Sequence, residues 1–226
     1  MYISRIHVKR GQELFRLTRS EARDSLYAAH QLLWRAFPKD AGANRDFLFR
    51  QENREGLPCF FVVSERRPVN DGLFQIETKD YSPQLEIGQR LAFSLTANPV
   101  VARKTDGKKY SPKHDVWMDA KREARNMGLD DEERIAHCED RARQWLIARA
   151  ETHGFSIEDQ QIHVDEYFHH QFYRRKGRPI RFSSISYDGI LTVVDPERLL
   201  GTLFEGIGRS RAFGCGLMLV RRVRRK

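Results

Sequence analysis

The feature that most constrains this chain is a change of hydrophobic period that occurs in the same order twice. At the start, "MYISRIHVKR" interleaves Ile3, Ile6 and Val8 with polar residues, as a half-buried strand requires. After a loop the pattern turns helical from Ser20, which suits an N-cap, to Pro38, with Leu26, Ala29, Leu33 and Phe37 spaced by three and four. "DFLFRQE" and "CFFVVSE" then read as strands on either side of the turn "NREGLP", and "GLFQIETKDY" as a further strand.

The second half begins the same way. "QRLAFSLTANPVVAR" is a strongly apolar strand broken at Pro99. Residues 131–153 form the longest helical stretch, with Ile135, Cys138, Ala142, Trp145, Leu146 and Arg149 on one face and Gly154 at its end. "IHVDEYFHHQFY" and "IRFSSISYDGILTVV" read as long strands joined by the basic turn "RRKGRP". "DPERLLGTLFEG" supplies a short helix with Asp195 as N-cap and Pro196 in first position, and "CGLMLVRRV" is the last strand.

Both halves thus run strand, helix, strand, strand, and the second adds helix, strand. That is the βαββαβ order of a ferredoxin-like, or RRM-like, unit. The expected fold is α+β, with two tandem ferredoxin-like domains at residues 1–88 and 89–226. The first is irregular, because little in it reads as a second helix. At 226 residues the chain has room for two such units.

Forty Lys and Arg against 31 Asp and Glu give a net charge of +9, which points to a polyanionic partner. The excess is concentrated in "RKTDGKKYSPK" at 103–113, "YRRKGRPIR" at 173–181 and the C-terminal "RRVRRK", while "DDEERIAHCEDR" is an acidic helix start. No apolar run approaches the roughly 18 residues of a membrane span, and no signal-peptide pattern opens the chain, so a cytoplasmic protein is expected. Cys59, Cys138 and Cys215 lie far apart without CxxC spacing, which suits buried thiols rather than a disulfide framework or a zinc site.

"GIGRSRAFGCG", residues 206–216, is glycine-rich, but it follows a helix and leads into a strand, the reverse of a dinucleotide fingerprint, and GK[ST] is absent. A tight turn explains it, as does a loop whose amides approach a nucleic-acid phosphate while Arg209 and Arg211 supply charge. The adjacent His169 and His170 sit in a strand, where neighbours face opposite ways, and no HExxH or carboxylate cluster accompanies them. No metal site is expected.

Within "SLYAAHQLLWRAFP", with Leu26 at zero, Leu33 and Phe37 fall within about 20° of it, His30 near 40°, Trp34 near 80° and Tyr27 near 100°. Tyr27 and His30, three residues apart, can converge on one point beside the core. An aromatic border around a structural helix explains the same pattern, so the spacing permits a site without demonstrating one.

Taken in order, "MYISRI", "LYAAHQLLWRAFP" with "RDFLFR", "LAFSLTANPV" and "GIGRSRAFGCGLM" resemble the CRISPR repeat-processing endoribonucleases of the type I-E Cascade system, the CasE family. The resemblance spans nearly the whole chain. It implies two ferredoxin-like domains and metal-independent cleavage of precursor RNA at the base of the repeat hairpin, with the mature guide RNA retained among other Cascade subunits and no small-molecule cofactor. It places the catalytic pair on Tyr27 and His30, and RNA contacts on Arg174, Arg175, Lys176, Arg178 and Arg181 of the basic hairpin and on Arg209 and Arg211 of the glycine-rich loop. The basic C-terminal tail goes beyond the family pattern. A noncatalytic repeat-RNA-binding subunit is the alternative reading. A metabolic ferredoxin-like enzyme comes third, since it leaves the basic clusters without a purpose.

Overall fold

The computed structural model describes residues 1–9, 11, 25–38, 45–54, 57–103, 112–172 and 179–223, with backbone alone at 25–27, 53 and 54. The first sheet comprises β1 (Tyr2–Val8), β2 (Phe47–Arg54), β3 (Leu57–Ser64) and β4 (Phe74–Asp80), in the order β2-β3-β1-β4 and antiparallel throughout. Helix α1 (Ser25–Ala36) connects β1 to β2. This is the ferredoxin-like strand order, with a non-helical segment at 65–73 between β3 and β4 where a second helix would lie. The irregularity expected of the first half is therefore that missing helix.

Alternation along the strands gives this sheet two apolar faces. Phe47 and Phe49 of β2 join Ile6, Phe60, Val62 and Phe74 under α1, which contributes Ala29, Leu33 and Ala36, with Phe37 directly after it. Each buried phenylalanine is worth about 1.5–3 kcal/mol, and Phe37 stacks on Phe47 at 4.6 Å between centroids. Leu48 and Val63 point the other way and meet Leu217 of the second half, flanked by Tyr81 and Phe204.

The second sheet is built from β5 (Arg90–Ala97), β8 (Phe155–Ser156), β9 (Ile162–Phe172), β10 (Ile180–Val193) and β11 (Met218–Arg222). Its order is β11-β5-β10-β9, antiparallel, with β8 pairing the far end of β10. A small ribbon, β6 (Val100–Ala102) with β7 (Lys113–Asp115), follows Pro99. Helices α3 (Asp131–Ala150) and α4 (Pro196–Glu205) cover one face, burying Ala142, Trp145, Leu146, Leu199 and Leu203 against Leu95, Tyr187 and Leu191. Both helices start as the sequence indicates. Asp130 and Glu133 form a reciprocal capping box, and Asp195 accepts from the Arg198 amide at 3.1 Å ahead of Pro196. The three cysteines are buried free thiols.

Two local differences from the sequence reading stand out. Ile135 is 56% exposed, because the buried stripe of α3 begins only at Cys138. Helix α2 (Val116–Asn126) is the other: its buried face consists of Val116, Asp119, Ala120 and Ala124, too small and too polar to read as an apolar stripe. Burial of the Asp119 carboxylate is offset by Arg103 Nε at 2.8 Å and Arg122 Nη2 at 2.6 Å. Ser20 lies outside the described residues.

Candidate active site

Helix α1 turns its apolar face onto the first sheet and leaves His30 and Trp34 half-buried on the flank, as the helical angles require. Trp34 Nε1 donates to His30 Nε2 at 3.2 Å, with the rings almost perpendicular. Nε2 is therefore an acceptor, and the proton of the neutral imidazole resides on Nδ1. Trp34 in turn rests on Phe47 at 4.9 Å. His30 also lies near Phe213, from the far end of the chain, 5.8 Å away between centroids. Tyr27 shares the helix, but its side chain lies outside the described residues.

Phe213 belongs to the glycine-rich loop, whose shape is fixed by close backbone approach. Ile207 N donates to Gly216 O at 2.9 Å and Gly216 N to Thr96 O at 2.7 Å. A Cβ on Gly216, at φ 95°, would come within 2.8 Å of Ile207 O, and one on Gly206 within 2.7 Å of Leu48 Cδ2. Both positions require glycine. The loop is thus a tight connection from α4 to β11, pressed against β2. Ser210, at φ 55°, takes a 2.6 Å hydrogen bond from Asn98 Nδ2. Arg209 is exposed, while half-buried Arg211 donates Nε to Gly208 O at 3.2 Å.

The base of the β9–β10 hairpin reaches the same place. Phe213 packs against Phe172 at 4.9 Å and Phe182 at 5.6 Å, and His170 stacks on Phe182 at 4.6 Å. Arg181 is exposed beside them; Arg174, Arg175, Lys176 and Arg178 lie outside the described residues. His170 accepts or donates a 2.8 Å bond with Ser184 Oγ, and burial followed by the charge of His169 pushes its pKa down to about 4. Among the described residues no three His, Cys, Asp or Glu side chains group as metal ligands. A cleft of about 430 Å3 opens next to Phe213 between the two sheets, with Arg50 of β2 on one wall and Phe168 and Ser184 on the other. Arg50 Nη1 donates to Ser94 Oγ of β5 at 2.7 Å.

One loop residue, Phe213, therefore joins His30, the hairpin base and the glycine-rich turn. Its role has no sequence signal, since it depends on docking the two halves. The Trp34 contact was available as an i, i+4 pair on α1. Arg45 was also missed. Its guanidinium carbon lies 6.0 Å from the Phe47 ring centroid, and burial followed by the charge of Arg211 lowers its pKa.

Residues 1–222 match the model of the family described as CRISPR associated protein. The chain belongs to that family. This CRISPR-associated protein is 30% identical to the Cascade subunit CasE of Escherichia coli strain K12, over 96% of this chain and 98% of that one. It is 29% identical to the CRISPR-associated endoribonuclease Cse3 of Thermus thermophilus, over 86% and 89% of the two chains. A solved structure of a CRISPR endoribonuclease Cse3 bound to a 19-nucleotide RNA superposes with a TM-score of 0.69 at 25% identity, covering 98% of this chain and 100% of that one. The family match and these relatives agree with the resemblance read from the sequence, and the tandem ferredoxin-like architecture is shared. No described helix of the CRISPR-associated protein is long and apolar enough to cross a membrane.

Proposed function

We propose that this protein is a metal-independent endoribonuclease that cleaves CRISPR precursor RNA at the base of the repeat hairpin and keeps the mature guide RNA. The observation that carries this reading is the placement of His30: an imidazole held by Trp34 and Phe213 where the catalytic helix, the glycine-rich loop and the root of the basic hairpin meet. RNA contains its own nucleophile. The 2′-hydroxyl next to the scissile phosphate attacks in line, the 5′-oxygen leaves with a proton, and the products are a 2′,3′-cyclic phosphate and a 5′-hydroxyl end.

An imidazole titrates near pH 6.5 and suits either proton transfer, a contribution of about 10² to 10⁴ in rate. Tyr27, one turn earlier on α1, orients the 2′-hydroxyl or takes part in the proton transfers. Arg174, Arg175, Lys176, Arg178 and Arg181 grip the stem from the hairpin, and Arg209 and Arg211 contact backbone phosphates from the loop. In this reading residues 1–88 and 89–226 are the two domains, and the protein acts in the cytoplasm beside other Cascade subunits.

The test is a gel with purified protein and a labelled repeat hairpin. Expected are cutting that persists in EDTA, a cyclic phosphate end, and no cutting when the 2′-hydroxyl at the junction is replaced by hydrogen. Cleavage of the deoxy substrate excludes internal attack, and loss in EDTA restored by a divalent ion excludes metal independence. The second reading, a noncatalytic repeat-RNA-binding subunit, draws on the Trp34 bond that occupies His30 Nε2. Tight binding without cutting supports it.

A further inference from the structure

The cleavage chemistry makes no use of the cleft of about 430 Å3 beside Phe213. Its volume lies in the range of about 300–1,000 Å3 usual for sites that take small organic ligands. Phe168 of β9 lines it and is 50% exposed. A lone exposed phenylalanine needs no explanation, but Phe168 is the outer end of a run of rings. His170 lies 6.4 Å from it between centroids and stacks on Phe182 at 4.6 Å, and Phe182 stacks on Phe213 at 5.6 Å. Phe213 in turn lies 5.8 Å from His30. The rings therefore lead from the cleft to the imidazole on α1. With its pKa pushed down to about 4, His170 is an uncharged member of the run at neutral pH.

The polar lining selects which part of a nucleotide enters. Apart from the two histidines, the charged groups at the cleft are Glu52, Glu166 and Arg50, and Arg50 is engaged by Glu52 at 3.4 Å and by Ser94. Two carboxylates against one compensated guanidinium disfavour a phosphate and leave room for an uncharged base. Gln51, on the β2 wall, has a buried side-chain carbonyl, Oε1, without a hydrogen-bond partner among the described residues. An unsatisfied buried acceptor is unfavourable until a donor reaches it. An unpaired nucleobase supplies both a ring face for stacking and N–H donors on its Watson–Crick edge.

We infer that the cleft is a pocket for one unpaired nucleobase flanking the foot of the RNA stem, stacked on Phe168 and donating an N–H to Gln51 Oε1. The identity of the ligand as RNA rests on the endoribonuclease reading. A base held there fixes the strand on its way past Phe213 to His30 and so helps to align the scissile bond. The pocket also favours a stem with single-stranded flanks over a blunt one.

The experiment uses the full chain and a cognate repeat hairpin with unpaired nucleotides on both sides of the stem, carrying 2′-deoxyribose at the cut site so that it binds without being cut. Each flanking nucleotide is made abasic in turn, and affinities are measured for the wild type, Phe168→Ala and Gln51→Leu. Loss of the base that occupies the cleft is expected to weaken wild-type binding by about 5- to 20-fold, the lower part of the range for a base stacked on an aromatic ring. Phe168→Ala should cause a similar loss on the intact hairpin and no further loss on that abasic one. Gln51→Leu should weaken binding of the intact hairpin by about threefold to tenfold at an unchanged or higher melting temperature, because it deletes an acceptor that is unpaired in the free protein. If no abasic position weakens binding, or if Phe168→Ala costs the same on intact and abasic hairpins, the inference is overturned. A lower melting temperature for Gln51→Leu with unchanged affinity overturns the Gln51 contact. Failure of the wild type to cut the all-ribose hairpin removes the endoribonuclease reading instead, and the abasic comparison still decides whether the cleft holds a base.

Discussion

Trp34 donates its indole N–H to Nε2 of His30 across 3.2 Å, one helical turn away on the same face of α1. The bond fixes both the orientation of the imidazole and the position of its proton, on Nδ1. A neutral hydrogen bond of this kind is worth about 0.5–1.5 kcal/mol, or roughly a threefold to tenfold change in an equilibrium. Trp34→Phe keeps a ring against Phe47 and deletes the donor. The expected result is a cleavage rate lowered up to about tenfold, with RNA affinity unchanged. A faster variant would mean that the bond restrains His30 and must break before reaction. For comparison, His30→Ala should lower the rate by about 10² to 10⁴ at similar affinity, and unchanged cleavage would remove His30 from the mechanism.

Among the described residues, Phe213 is the one ring in contact with His30, Phe172 and Phe182 at once. Truncating a core phenylalanine costs about 3–5 kcal/mol, and a half-buried one costs less, about 2 kcal/mol. Phe213→Ala should therefore lower stability in chemical denaturation and reduce cleavage together, whereas Phe213→Leu should recover most of the stability and less of the activity. Equal recovery of both would show that the ring only fills space.

The elements that could be read in the sequence are those whose signal is local. The acidic start of α3, the Asp195–Pro196 start of α4 and the alternation of β1 each depend on a few neighbouring residues, and each is present. Helix α2 was hidden because the burial of Asp119 is made tolerable by Arg103 and Arg122 rather than by an apolar stripe. In the site, the helical angles placed His30 and Trp34 on the flank of the core, but Phe213 becomes a neighbour of that flank only when one half docks on the other. A contact made by tertiary docking leaves no periodic trace along the chain.

Gly216 closes the loop on which that docking depends. A methyl group there meets Ile207 O at 2.8 Å, and φ of 95° is strained for any other residue. Gly216→Ala is expected to cost about 1–3 kcal/mol and to displace Phe213 from the His30 flank, so that cleavage is lost more than stem binding. Gly201, in α4, has open space at its Cβ position and no unusual φ. Gly201→Ala serves as the control and should be neutral or slightly stabilising by about 0.5–1 kcal/mol.

His170 gives a pH dependence that can be isolated. Its pKa is pushed from the ordinary 6.5 down to about 4 by burial and by His169. Between those values the unfolded chain binds more protons than the folded one, so stability rises with pH through this window. The contribution is complete above about pH 6.5 and is lost as acid approaches pH 4. Carboxylates titrate over part of the same range, so the decisive quantity is the difference between wild type and His170→Gln, which keeps a polar group opposite Ser184 without titrating. Melting temperatures of the two proteins should converge as pH falls from about 6.5 to about 4, with the wild type losing more. Parallel curves would mean that His170 is protonated equally in both states and that its stacking on Phe182, 4.6 Å away, does not exclude the charged ring.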